Sequence, residues 1–257
     1  MSLLRTERLR KRFGETRAVD DVDFSVNEGE FLSLVGTNGA GKTTLVNLIS
    51  AFLLPDSGRI LIGDRDITRA SVDERIRAGI ARSFQLVNLF DDLSVLDNVA
   101  LAIFAREGKS RRIFRLAERD VAVTQEAVEL LGQFGLDGKA EGLAGGLAQG
   151  ERKLLDVAVA YALRPKLLFL DEPTSGVSTR DKAQIMDTVS SVVRAGGITA
   201  VVIEHDMDVV FKYSDRIVVM AQGAILAQGT PDEIRKNEQV AMTLLGTSGP
   251  DAFTRKD

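Results

Sequence analysis

Gly36 to Thr44, reading GTNGAGKTT, constrain this chain more than any other stretch. An apolar run, Phe31 to Val35, precedes them, and a helix-compatible run, Leu45 to Ile49, follows. Strand, glycine loop and helix in that order are the context that gives a G-x-x-x-x-G-K-[ST] pattern its meaning. Gly36, Gly39 and Gly41 allow backbone conformations that a Cβ forbids, so the N–H groups of Thr37, Asn38, Ala40 and their neighbours can turn inward. Together with the start of the following helix they form a cradle for anionic phosphates. Lys42 can then reach the β- and γ-phosphates of a nucleotide, while the Thr43 hydroxyl can ligate Mg²⁺, and the phosphate site as a whole runs from Gly36 to Thr44.

Composition narrows the class further. The chain has 257 residues, a net charge of −4 and no cysteine, so disulfides, thiolate metal sites and thiol redox chemistry are excluded. An acidic balance argues against a nucleic-acid binder that works by electrostatics. No apolar run approaches the roughly 18 residues of a transmembrane helix, and MSLLRTERLRKRF lacks the apolar core of a signal peptide. The expectation is a cytoplasmic protein that reaches a membrane only through a partner.

Along the chain, Leu3 to Arg12 and Val19 to Val26 alternate as half-buried strands do, with a turn at Arg12 to Glu15. Pro55 to Gly58 is a turn signal before a short strand at Arg59 to Ile62, completing a small antiparallel sheet. Ile80 to Phe84 is a further strand. Ser94 to Asp97 has capping-box spacing and opens a helix through Phe104. Glu118 to Phe134 carries Val121, Val128, Leu131 and Phe134 at helical spacing. These segments predict a helical subdomain over about 87–163, inserted into an α/β core. The core resumes with a buried strand at Lys166 to Leu170, a helix over 179–195, a buried strand at Ile198 to Ile203, and final strands at 217–220 and 224–227. Alternating strands and helices predict a mostly parallel sheet with its site at the strand C-termini. Residues 247–257 read as a polar, frayed tail beyond a domain spanning 1–246.

Several side chains fall where such a site would be. Asp171 and Glu172 end a strand of four apolar residues. The first can hold Mg²⁺, and the second can orient or deprotonate an attacking water. His205 is the single histidine and ends another buried-type strand, where a neutral imidazole can donate to a γ-phosphate. Gln85 can bring its amide to Mg²⁺ or to the water. Phe13, near the first turn, can either stack on adenine or pack into the core.

GTNGAGKTT, Gln85, LAQGERKLLDVA, LLFLDEPTSG and His205 stand in the order found in ATP-binding cassette (ABC) ATPases, and the resemblance runs from about Leu3 to Gly246. It implies a P-loop NTPase core with an antiparallel β subdomain and an inserted helical subdomain, binding ATP and Mg²⁺. Gly36 to Thr44 then resembles the Walker A loop, Leu167 to Asp171 the Walker B strand and Glu172 the catalytic base. Gln85 looks like the Q-loop, His205 the switch histidine and Phe13 the adenine-stacking aromatic. Two registers compete for the signature loop, Leu143 to Gly146 and Leu147 to Glu151. In the second, Gly150 immediately precedes a helix over Glu151 to Leu163, and RKLLDVAVA follows as in the family, so Leu147, Ala148, Gln149, Gly150 and Glu151 are taken as the residues that face a partner's nucleotide.

Two positions depart from the pattern. Ala148 replaces the signature serine, and Ser178 replaces the aspartate usual in the D-loop. Within the family, Asn88 to Leu143 and the ending Ala227 to Gly246 are similar to one ATPase subunit of branched-chain amino-acid importers, a type that also serves urea, short amides and aromatic acids. The resemblance implies dimerisation with a paralogous ATPase subunit or with itself, two permease subunits, an external solute-binding protein, and no nucleic acid. Export, lipid extraction and a soluble non-transport role are the alternative readings. Lys109 to Arg115 reads as a solvated basic loop or a contact to permease or lipid headgroups.

Overall fold

The computed structural model describes residues 1–83, 89–108, 120–246 and 253. It divides into two compact units, Met1–Ala78 with Thr199–Asp257, and Gly79–Ile198.

In the first unit, β1 (Ser2–Phe13) is the centre of an antiparallel sheet. Its C-terminal half pairs with β2 (Thr16–Val22), Phe13 opposite Thr16, and its N-terminal half with β3 (Ser25–Asn27). The single strand expected over 19–26 is therefore broken. Buried Thr6 closes the break: its hydroxyl donates to the Val22 carbonyl at 2.8 Å and accepts the Phe24 N–H at 2.9 Å. β4 (Phe31–Gly36) is buried along its whole length and leads through the glycine loop into α1 (Lys42–Ile49). β5 (Ser57–Ile62) pairs with the other side of β1, and β6 (Arg65–Asp66) with β5.

The next element, α2 (Val72–Arg77), was not expected. Ser71 and Glu74 form a full capping box at its start. On it sits Arg75, 1% exposed, whose guanidinium donates to the Leu48 carbonyl, to Ile49 O at 2.6 Å and to Thr68 O at 3.0 Å. Burial pulls its pKa down to about 10, still well above neutrality. A cation at the C-terminal carbonyls of α1 complements the dipole of the helix that carries Lys42 at its other end.

The second unit begins with β7 (Ile80–Arg82). α3 (Val95–Arg106) follows, with Ser94 accepting from Asp97 N–H as expected of its cap, then α4 (Val121–Gln133) and α5 (Gln149–Ala162). Of the four residues read at helical spacing, Leu131 and Phe134 are buried as expected, whereas Val121 and Val128 lie off the buried face of α4. Val121 is 78% and Val128 41% exposed, while Val123, Ala127, Leu130 and Leu131 are buried, a better match to the 3.6 period. β8 (Leu167–Asp171) is parallel to β7, Ala81 opposite Leu168, and α6 (Thr179–Ala195) covers the predicted range. Arg106 joins α3 to α4 and α5 by donating to Glu126 at 2.7 Å and to Ala162 O at 3.0 Å.

The chain then returns to the first unit. β9 (Thr199–Ile203) runs parallel to β4, Leu34 opposite Ile203. After α7 (Met207–Tyr213), β10 (Arg216–Ala221) pairs in parallel with the other side of β4, Met220 opposite Gly36, and β11 (Ala224–Gly229) adds an antiparallel edge. α8 (Pro231–Arg235) and α9 (Glu238–Leu245) close the chain onto a core of Val35, Val210, Phe211, Ile217, Val219, Ile234 and Val240. Phe253, within the stretch read as a polar tail, meets Phe211 edge to face at 5.2 Å. Parallel strands, helices and a separate antiparallel sheet make an α/β fold of the expected class. Among the described residues, no helix is long and apolar enough to cross a membrane.

Candidate functional site

The glycine loop leaves β4 with Gly36, Gly39 and Gly41 at φ +155°, +78° and +103°. At Gly41 a Cβ would overlap the Ala18 carbonyl of β2, and at Gly36 the Met220 carbonyl of β10. No other residue fits at either position. Ala40 N–H closes on Thr37 O at 3.1 Å, and Gly223 N–H donates to Ala40 O at 3.0 Å, so the last strand turn braces the loop. Thr37, Asn38, Gly39 and Thr43 are exposed at its rim, while Lys42 is 6% exposed. The Lys42 ammonium folds back onto Gly36 O at 2.7 Å and Thr37 O at 3.1 Å. α1 has no side-chain cap at its N-terminus. Uncapped N–H groups, a lysine poised over the loop and an exposed threonine hydroxyl fit a polyphosphate with its magnesium.

Two further residues belong to this unit. His205 directly follows β9, and the Leu34–Ile203 register sets it at the same end of the sheet as the loop. Its N–H donates to the buried Glu204 carboxylate at 3.2 Å, a partner that the sequence reading did not single out. Phe13 ends β1 on the hairpin whose second strand touches Gly41. It is 49% exposed, with Lys11 Nζ 5.7 Å from its ring, so it is not a core residue. Gln85 lies outside the described residues.

In the second unit, Asp171 closes β8, 3% exposed, and Arg82 at the end of β7 donates to its carboxylate at 2.6 Å. Glu172 follows in the left-handed region at φ +48°, a conformation that costs a non-glycine residue about 1–3 kcal/mol and concentrates at functional sites. Its carbonyl accepts the Ser175 N–H at 3.1 Å and the Lys153 ammonium at 3.2 Å. Neither Arg82 nor Lys153 was flagged from sequence, because a basic residue in a strand or helix carries no sign of its distant partner.

The residues taken as the signature, Leu147 to Glu151, precede and open α5. The helix starts at Gln149, with Ala148 as its cap residue, so Gly150 lies inside the first turn and not before it. Alanine offers no oxygen to cap with. The Glu151 carboxylate instead accepts the Ala148 N–H at 3.0 Å, and its bond to Lys139 at 2.6 Å holds its pKa below the usual carboxylate range. Ala144 to Gly146 form a single 3₁₀ turn before it. Ser178 caps α6, its hydroxyl accepting the Asp181 N–H at 3.3 Å. Serine at this position thus keeps the capping ability of the aspartate expected there and gives up its charge.

A strand–glycine loop–helix with a buried lysine, set in a parallel sheet, defines a phosphate-loop nucleotide-binding protein. Residues 19–175 match the family model described as ABC transporter. The chain is 35% identical over 240 residues to the probable branched-chain amino acid transport ATP-binding protein LivG of Methanocaldococcus jannaschii, covering 92% of this chain and 93% of that one. Its fold is similar to the ADP conformation of MJ1267, an ATP-binding cassette of an ABC transporter, with a TM-score of 0.84 and 32% identity over 96% of this chain and all of that one. It is also similar to the ATP-binding cassette MJ0796, seen as a dimer in a post-hydrolysis state bound to ADP and Pi, with a TM-score of 0.75 and 25% identity over 89% of this chain and 98% of that one. The chain belongs to the ATP-binding cassette family. It is an ATP-binding ATPase with the P-loop NTPase fold.

Proposed function

We propose that this chain is the ATP-driven subunit of an importer for branched-chain or related amino acids. The observation that carries the proposal is the near full-length match to a relative named for that transport. The glycine loop and the acidic strand end, each with its supporting contacts, make the match chemically coherent.

The site roles follow residue by residue. Gly36 to Thr44 cradle the phosphates, and Lys42 exchanges its two loop carbonyls for phosphate oxygens. Phe13 supplies an exposed ring for adenine. Thr43, Gln85 and Asp171 are the residues that would hold Mg²⁺, which would supply positive charge against the negative charge developing on the phosphate. Glu172 orients the attacking water and accepts its proton, and His205 senses the γ-phosphate. Leu147 to Glu151 serve the nucleotide of a second ATPase chain, a paralogue or another copy. Residues 1–246 form one nucleotide-binding domain, with 87–163 as its helical subdomain. The membrane partners are permease subunits fed by an external solute-binding protein, which places this chain on the cytoplasmic face.

The test is reconstitution with the permease subunits that co-purify with the chain, in liposomes enclosing MgATP. Uptake of labelled leucine, isoleucine or valine that depends on the solute-binding protein, and is abolished by Lys42→Ala, is the expected result. ATP-dependent movement in the opposite direction, or no transport of any amino acid by an active ATPase, refutes it.

A further inference from the structure

Helix α5 does more than present the signature residues at its first turn. Gln149 and Lys153 are four residues apart and share one helical face. That face bears on the loop after β8. Gly176, at φ +77°, passes so close to the Gln149 amide that a Cβ there would overlap it. One turn further along, Lys153 is 5% exposed, and its ammonium donates to Glu172 O at 3.2 Å and to Ser175 Oγ at 3.1 Å. The residue gripped in this way is the one whose backbone stands in the left-handed region.

We infer that Lys153 is a positioning residue for hydrolysis: it fixes the main chain of Glu172, and with it the direction of the carboxylate. A buried ammonium is costly unless it is hydrogen-bonded, so its placement on that carbonyl is a specific arrangement and not a solvated charge at rest. It fastens two points of the loop at once, the residue that acts on water and the first residue of the Ser175 to Ser178 segment. The helix that opens with the signature is thereby tied to the hydrolytic residue of the same chain. The inference rests on reading Glu172 as the residue that activates water.

The test uses the full-length chain in Lys153→Met, Lys153→Arg and Glu172→Gln forms, and the Met and Gln changes combined. Misplacement of a catalytic group by about 1 Å costs on the order of a hundredfold, so Lys153→Met should lower kcat by about ten- to a hundredfold with KM for ATP and nucleotide affinity within about twofold. Its Tm should fall by no more than about 12 °C, the scale of two lost hydrogen bonds. Lys153→Arg keeps the charge-assisted bond and should recover kcat to within about threefold of wild type. In the Glu172→Gln background, Lys153→Met should produce no further loss of single-turnover rate. A kcat for Lys153→Met close to wild type, a loss expressed in KM, a fully additive loss in the double variant, or a chain that no longer folds would each overturn the inference. Near-normal turnover of Glu172→Gln alone overturns the reading beneath it, independently of Lys153.

Discussion

Arg82→Met tests the pairing at the end of β8 most directly. The pair is short, 2.6 Å, with side chains 9% and 3% exposed. Removing one partner of such a buried pair strands the other charge and costs about 3–5 kcal/mol. At about 2–4 °C per kcal/mol for a chain of this size, Tm without ligand should fall by about 6–20 °C. A divalent cation at Asp171 would replace the lost positive charge. The rise in Tm on going from ADP with EDTA to ADP with Mg²⁺ should therefore be larger in the variant than in the wild type. Combining Arg82→Met with Asp171→Asn removes both charges and should recover most of the stability, since a neutral replacement of a whole pair is nearly free. Differential scanning fluorimetry under three conditions (no ligand, ADP with EDTA, ADP with Mg²⁺) measures all of this. A variant that melts within about 2 °C of wild type would show the pair to be worth far less than its burial implies. An unchanged Mg²⁺ increment would show that Asp171 does not face the metal.

Phe13→Ala should weaken ATP binding by about 1–2 kcal/mol, the scale of ring–base stacking, while leaving Tm without nucleotide unchanged; a large drop in Tm with unchanged affinity refutes the stacking role. Ala148→Ser should add a helix cap worth about 1 kcal/mol to α5, visible by thermal denaturation. It should also raise steady-state turnover of a homodimer by about tenfold, and equal rates at matched high concentration would show the hydroxyl to be dispensable. Glu126, Glu151 and Asp66 are all held below their ordinary pKa values, Glu126 by Arg106, Glu151 by Lys139, and Asp66 down to about 2 by its bonds to Thr68. Groups depressed on folding stabilise the chain above their unfolded pKa, so urea midpoints should be flat from neutrality down to about pH 5 and fall steadily below it. Asp66→Asn should flatten the part of that fall between pH 3.8 and about 2.

What could be read from sequence was what is local. The glycine loop announces itself because its constraints lie within nine consecutive positions flanked by apolar runs. α6 was placed over its full range because Ser178 caps it and Gly196 ends it. α2 escaped notice because it is a single short helix whose only sign is Ser71 with Glu74. The face of α4 was only half read, because Leu131 and Phe134 are buried but Val121 and Val128 are apolar and solvated, and hydrophobicity alone does not say which side a neighbour covers. The supporting cations were invisible for another reason. Arg82 and Asp171 are 89 residues apart in sequence, Lys153 and Glu172 are 19, and only the fold brings either pair together. The sequence offers candidates for acting on a nucleotide, and the fold shows which residues hold those candidates in place.

Arg75 has one further consequence, which concerns ionic strength. Its guanidinium spends its donors on the main-chain carbonyls of Leu48, Ile49 and Thr68. Those oxygens are the ends of fixed dipoles in a dry interior, where mobile ions do not reach. Exposed pairs such as Arg10 with Asp21 and Arg59 with Asp66, both at 3.0 Å, lie on the antiparallel sheet where screening is effective. At about 1 M salt the screening length shrinks to roughly 3 Å, and pairs of that kind lose most of their attraction. The sheet that carries Phe13 should therefore loosen with salt well before the helix that carries Lys42. Base contact and phosphate grip would then fail at different salt concentrations.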